Sequence, residues 1–273
     1  MQASLLPQIF LWQNKAISLT LQTTYCLISI RLGIQNEIFS GGYKMRKLIF
    51  DIETCSYPFD TLSPSQQEYL LKYADREVDS AKKESMRDEV IRYTSLYPFT
   101  AKCIAIGMYD VEKEKSYVYY ESEEPDEIIS ETTNVQYKGL PEKQMLESFW
   151  RIADRIDQFI TFNGRNFDVP FLMMRSAKLG VKVAKNLMAY RYGDVHIDLL
   201  EQFTFYNTTR KFNLDFYCNA FGIESPKSKD ISGMEVKNLY EAGRIKDIAV
   251  YCSKDILATY QLYKIWDEYL NLK

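Results

Sequence analysis

Cysteine is sparse and unpatterned in this chain of 273 residues. The five thiols (Cys26, Cys55, Cys103, Cys218 and Cys252) are odd in number and include no C-x-x-C pair. That excludes a disulfide framework and a zinc site, and it predicts reduced cysteines in a cytoplasmic protein. Long hydrophobic runs are missing as well. The apolar stretch from Ala16 to Ile34 is broken by Gln22, Thr23, Thr24 and Arg31, so it does not span a bilayer. The start of the chain lacks the basic segment of a secretory signal, and no membrane partner is expected. Nor is there an excess of positive charge. A net charge of −3 argues against a protein that coats nucleic acid through bulk basicity.

Acidic residues are nearly absent from one region. Glu37 is the only one among the first 44 residues, which leaves 36 of the 37 to the rest of the chain. Met45 directly precedes Arg46-Lys47-Leu48-Ile49-Phe50-Asp51, where a first strand would begin. Residues 1–44 are therefore expected to be an extension, arising from an upstream reading of the start codon. An ordinary N-terminal arm is the other reading. The intact mass of the protein made from its native gene separates the two. Residues 45–273 are expected to form one domain.

What is present is ample apolar material, 46 % hydrophobic and 14 % aromatic residues. Lys47–Ile52 reads as a buried strand. Ser63-Pro64-Ser65-Gln66 has the form of a capping box with proline at the first helical position. It opens a charged, solvated helical insertion at about residues 57–100. Ala101–Tyr109 and Ser116–Tyr120 read as strands joined by the polar turn Asp110–Lys115. Apolar residues at helical spacing follow over Glu142–Asp157. Phe159–Phe162 is a strand, and Val169–Leu179 a helix stopped by Gly180. After a strand at Val195–Leu199 the spacing predicts helices over Phe212–Phe221, Glu235–Ala242 and about Ile245–Leu270. Strands first, then alternation, then a helical end predicts an α/β or α+β domain.

Three short motifs carry acidic side chains. They are F-D-I-E-T at Phe50–Thr54, F-N-G-R-N-F-D at Phe162–Asp168 and Y-C-S-K-D at Tyr251–Asp255. Asp51 and Glu53 lie two apart on a strand and so share one face of the sheet. Two unpaired carboxylates at the end of a buried strand would be costly without cations between them. Asp168 begins a helix and fits an N-cap, a role compatible with ligation. Tyr251 and Asp255, four apart on a helix, share a face. Hard oxygen donors favour Mg²⁺ or Mn²⁺, and two such ions can cut phosphodiesters. A nuclease can be acidic overall, because the ions invert the local field where phosphate sits. Decoys are also present. Asp110-Val111-Glu112 repeats D-x-E in a turn, and Tyr190–Asp194 and Tyr263–Asp267 repeat Y-x-x-x-D.

In motif order the chain resembles the DEDDy branch of the DEDD 3′–5′ exonucleases. It is most similar to the predicted exonucleases related to the proofreading domain of B-family DNA polymerases. The likeness runs from Lys47 to about Trp266. It includes Phe149–Trp150, N-G-R-N-F-D-V-P-F-L at Asn163–Leu172, H-I-D-L-L at His196–Leu200 and Y-C-S-K-D-I-L-A-T-Y at Tyr251–Tyr260. The resemblance implies a ribonuclease H-like mixed sheet flanked by helices, with a helical C-terminal part. It implies hydrolysis from the 3′ end of single-stranded DNA by two metal ions, releasing nucleoside 5′-monophosphates. Asp51 would bridge both ions, Glu53 and Asp255 would complete one, and Asp168 would hold the other. Tyr251 would orient the attacking water. The branch with histidine in place of tyrosine is excluded, because the only histidine, His196, lies far from Asp255. His196 and Asp198 are expected to support the site from behind.

Thr54, Asn163, Arg165, Phe167 and Lys229 are candidate substrate contacts. Lys227, Arg210 and Lys211 could meet phosphate, and Phe205 and Tyr206 could stack on terminal bases or belong to the core. A stand-alone exonuclease is expected. The alternatives are an exoribonuclease of the same mechanism and a nucleic-acid-binding accessory protein without turnover.

Overall fold

β1 (Lys47–Ser56) is the strand about which the sheet assembles, because its two faces are apolar in alternation. Leu48, Phe50 and Ile52 point one way, and Ile49 and Cys55 point the other. The computed structural model describes residues 45–130, 133–226 and 235–272. The expectation for residues 1–44 and the candidates Lys227 and Lys229 fall outside these. β1 pairs antiparallel with β2 (Ala101–Asp110), which pairs antiparallel with β3 (Lys115–Glu121). β4 (Asp126–Ser130) and β5 (Val135–Leu140) extend that side. On the other side β6 (Gln158–Thr161) and β7 (His196–Asp198) run parallel to β1. The order is β4-β5-β3-β2-β1-β6-β7.

Helices cover both faces. α1 (Pro64–Leu71) and α2 (Ser80–Tyr93) lie in the 57–100 segment, α3 (Glu142–Ala153) precedes β6, and α4 (Asp168–Lys178) follows it. α5 (Leu199–Phe203), α6 (Leu214–Ala220), α7 (Val236–Glu241) and α8 (Ile245–Tyr269) complete the described chain. Leu48, Phe50 and Ile52 pack against Phe149 and Trp150 of α3 and Val169, Phe171 and Leu172 of α4. Phe50 meets Phe149 edge-on at 5.2 Å and Phe159 at 6.1 Å. On the opposite face Ile49 packs with Ile256, Leu262 and Trp266 of α8, and Ala105 with Ala249 and Cys252. Asp51 and Glu53 share the parity of Ile49, so they face α8. Gly107, the cross-strand partner of Asp51, lets that helix approach. A Cβ there would sit 2.8 Å from Cys252 Sγ.

The strands and helices expected from periodicity are present, with shifted ends. β1 runs on to Ser56 because β2 keeps pairing with it past a register shift between Glu53 and Thr54. α3 stops at Ala153 rather than Asp157, since Asp157 is drawn to the start of β1, where its Oδ2 accepts the Arg46 N–H at 2.8 Å. β4 and β5 were not foreseen. β4 is a charged edge strand, and β5 is ordered by parallel pairing to β3, a distant partner no local pattern names. The 57–100 segment holds α1, opened by the Ser63–Gln66 capping box, and α2, which buries no residue. Arg175 of α4 is buried and grips Glu142 with two bonds of 2.6 and 2.7 Å, while also reaching Tyr57. Nothing in the local sequence announced this pair. Among the described residues no helix is long and apolar enough to cross a membrane, and the four described cysteines are buried and free.

Candidate active site

β1 and β6 pair only over Lys47–Ile49 with Gln158–Ile160 and then diverge. Beyond that point no strand among the described residues bonds this edge of β1. Asp168 takes the position, and its Oδ1 accepts the Ile52 N–H at 3.0 Å. The N-cap expectation is corrected here. Phe167 occupies the cap position without a side-chain bond, and Asp168 is the first helical residue, its carboxylate reaching across to β1. Asp51 and Glu53 sit on the adjoining stretch of β1, and Tyr251 and Asp255 reach the same place from α8, one helical turn apart. Three distant stretches thus meet at the carboxyl ends of parallel strands, where open α/β sheets form their crevice.

The connection from β6 to α4 is held by Asp198. This buried carboxylate accepts the backbone N–H groups of Asn163 at 2.8 Å, Arg165 at 2.9 Å and Leu200 at 3.0 Å. Asn163 turns the chain in the left-handed region at φ 64°, and its Oδ1 accepts the Asn166 side-chain N–H. At Gly164 a Cβ would lie 2.3 Å from Thr161 Oγ1, so no other residue fits without moving β6. His196 hydrogen-bonds Thr161 and the Leu187 carbonyl, and burial together with Arg165 pushes it down to about 3. It is neutral at physiological pH and supports the strand ends, as expected.

The electrostatics of the cluster are unfavourable for a protein without cations. Burial first, then the charges of Asp168, Asp255 and Glu53, hold the Asp51 carboxyl well above the usual carboxylate range. Burial, Asp255 and Asp168 do the same to Glu53. Asp168 is pushed up to about 7 by burial; its own N–H and that of Ile52 oppose the shift, and Asp198 and Asp255 add to it. Among the described residues, no lysine or arginine forms an ion pair with Asp51, Glu53 or Asp168. Ligating atoms of Asp51, Glu53 and Cys252 lie within 4.8 Å of one another. Burial and the adjacent carboxylates raise the Cys252 thiol, which donates to the Asp51 carbonyl at 3.8 Å. With sulfur kept as a thiol, the donor set is carboxylate oxygen, which suits hard divalent cations. The phenol of Tyr251 is raised by burial, by Asp255, Glu53 and Asp51, and by its hydrogen bond with Asp255. It holds its proton and can donate it to an oxygen in the site.

The other candidates divide. Thr54 is buried, and its hydroxyl donates to the Ser95 carbonyl at 2.7 Å, fastening β1 to the end of the 57–100 segment. Arg165 donates to the Ala189 carbonyl at 2.7 Å and stands 3.9 Å from Glu201. Both side chains make bonds to the scaffold. Phe167 packs on Phe171 at the rim of the core. The decoys separate by context. Asp110 is paired to Arg46 and Lys113 in its turn, while Asp194 and Asp267 are exposed and Asp255 is buried. Cys252 and Gly107 were missed. The place of Cys252, beside Tyr251 and three residues before Asp255 on one helix, was the available signal.

The sheet and its flanking helices form a ribonuclease H-like α/β fold. The chain belongs to the family described as "Predicted 3'-5' exonuclease related to the exonuclease domain of PolB", which matches residues 101–267. β1, with Asp51 and Glu53, precedes the matched span, so their place in the site comes from geometry. A DNA polymerase of Pyrococcus glycovorans is 30 % identical over 137 residues, covering 44 % of this chain and 18 % of that protein. One from Thermococcus aggregans is 31 % identical over 145 residues, covering 45 % and 8 %. This chain therefore spans under a fifth of the length of these relatives. The family B DNA polymerase of Pyrobaculum calidifontis shares the fold at a TM-score of 0.50 and 15 % identity, over 82 % of this chain and 24 % of that one.

Proposed function

We propose that this chain is a metal-dependent 3′–5′ exonuclease that hydrolyses single-stranded DNA from its 3′ end and releases nucleoside 5′-monophosphates. The observation that carries the proposal is the meeting of half-buried Asp51 with buried Glu53, Asp168 and Asp255 in one cluster, where burial and neighbouring charges raise the Asp51, Glu53 and Asp168 carboxyls. Asp51, Glu53, Asp168 and Asp255 are the residues that would hold two ions. Bound there, Mg²⁺ or Mn²⁺ would supply Lewis-acid stabilisation of the attacking and leaving oxygens of a phosphodiester. Tyr251 holds and orients a water by donating or accepting a hydrogen bond, since a phenol kept protonated is no base. Asp198 fixes the loop that presents Asp168, and Gly164 lets that loop close on β6. The DNA assignment draws support from the relatives, which are named DNA polymerases. Buried free thiols fit a cytoplasmic setting.

Product analysis on 5′-labelled DNA and RNA strands tests this. The expected result is a DNA ladder shortening from the 3′ end with Mg²⁺ or Mn²⁺, none with chelator, and none from Asp255→Asn, which still binds the strand. A ladder on RNA alone would make the protein an exoribonuclease. Binding without cleavage by the parent protein would make it an accessory factor.

A further inference from the structure

Beyond β7 the chain makes a turn that few sequences tolerate. Phe205, Tyr206 and Asn207 lie consecutively in the left-handed region, at φ 48°, 57° and 71°. None is glycine, and such strain persists only where surrounding bonds over-determine it. Here the Tyr206 N–H donates to the Glu201 carbonyl at 2.7 Å, the Thr208 N–H to the Thr204 carbonyl at 2.8 Å, and the Asn207 N–H to the Thr204 hydroxyl at 3.2 Å. The turn does not bury what it carries. Phe205 is 61 % exposed, and Tyr190 and Tyr192, which reach the turn through its neighbour Tyr206, are 75 % and 53 % exposed. The rings form a chain, Tyr206 to Tyr192 at 4.6 Å and Tyr192 to Tyr190 at 5.6 Å.

Cations accompany the rings along this stretch of chain. The Arg191 guanidinium lies 5.9 Å from the Tyr206 ring, Arg210 lies 5.3 Å from the Phe212 ring, and Lys211 is exposed. From Lys182 to Lys211 five basic residues face one exposed carboxylate, Asp194, since Asp198 and Glu201 are buried. That balance is opposite to the chain's net charge of −3. The patch is also tied to the acidic cluster. Glu201 meets Arg191 at 2.6 Å and Arg165 at 3.9 Å, and Arg165 lies in the loop that presents Asp168.

Resting on the exonuclease reading above, we infer that Phe205, Tyr192 and Tyr190, with Arg191 and Arg210, form a stacking platform for single-stranded DNA upstream of the 3′-terminal nucleotide. Exposed rings offer flat faces to bases without regard to sequence, and accompanying guanidinium groups offer charge to the phosphates. The 3′ end would lie at Asp168 and the preceding bases on the rings.

Two substrates separate the platform from the chemistry. Binding of a fluorescein-labelled 12-mer of deoxythymidine is measured by anisotropy in chelator, where no cleavage is needed. Hydrolysis of a thymidine dinucleotide, too short to reach the platform, is measured with Mn²⁺. Phe205→Ala and Tyr192→Ala should each weaken 12-mer binding about tenfold, at the low end of the loss per stacked base, and leave dinucleotide hydrolysis unchanged. Phe205→Trp should keep the affinity. Unaltered 12-mer binding in both alanine variants, or an equal loss on the dinucleotide, overturns the platform. Failure of the parent protein to hydrolyse any substrate overturns the catalytic reading instead, and the anisotropy comparison still decides the platform.

Discussion

Replacing Asp168 with asparagine should stabilise the protein when metal is withheld. The Asp168 carboxyl titrates near 7 in the fold and near 3.8 as a free side chain. A carboxyl with a raised folded pKa favours folding while it is protonated, and that stability is lost as pH rises from about 4 to 7. The loss amounts to about 4 kcal/mol for this difference in pKa. Neighbouring carboxyls can hold the proton in its stead, so this is a ceiling. Asparagine cannot ionise, yet it keeps an oxygen to accept the Ile52 N–H. In chelator at pH 8, Asp168→Asn should melt higher by up to about 10 °C for a domain of this size. At pH 4 the two proteins should melt together. Excess Mg²⁺ should raise the melting temperature of the parent protein and do less for the variant. Thermal melts by circular dichroism at both pH values decide the matter. A variant that melts at or below the parent at pH 8 refutes the charge argument. An advantage that persists at pH 4 points to packing in its place.

Tyr251→Phe should lower kcat by roughly tenfold to a hundredfold with little change in substrate affinity, the range for one lost hydrogen bond to a charged oxygen; single-turnover kinetics against a binding isotherm measures both. Asp198→Ala strips three backbone N–H groups of their acceptor. It should cost about 2–4 kcal/mol in urea unfolding and reduce cleavage through displacement of Asp168. Arg175→Ala leaves Glu142 buried without its bidentate partner and should cost about 3–5 kcal/mol by the same assay. A loss below 1 kcal/mol would show that Glu142 finds water or another cation.

The acidic motifs were legible because each combined a residue type with a local periodicity. Asp51 and Glu53 followed an apolar strand, and Tyr251 and Asp255 shared a helical face. The meeting of these stretches was not contained in any of them and came through the resemblance. What stayed hidden depended on partners far along the chain. Asp168 looked like a helix cap because the divergence of β6 from β1, which frees the Ile52 N–H, is invisible in sequence. The contacts of Arg165 with Glu201 and the Ala189 carbonyl could not be placed from sequence either. β5 carries a legible alternation, Val135 and Tyr137 inward, but its parallel partner β3 could not be inferred from it.

The central claim is that the four carboxylates hold a pair of divalent cations. Crystals grown with Mn²⁺ and measured for its anomalous scattering test it directly. Two peaks roughly 3.5–4 Å apart are expected, both within coordinating distance of Asp51, one beside Glu53 and Asp255 and the other beside Asp168. Peaks elsewhere on the surface, or none among these four side chains at millimolar Mn²⁺, would contradict it.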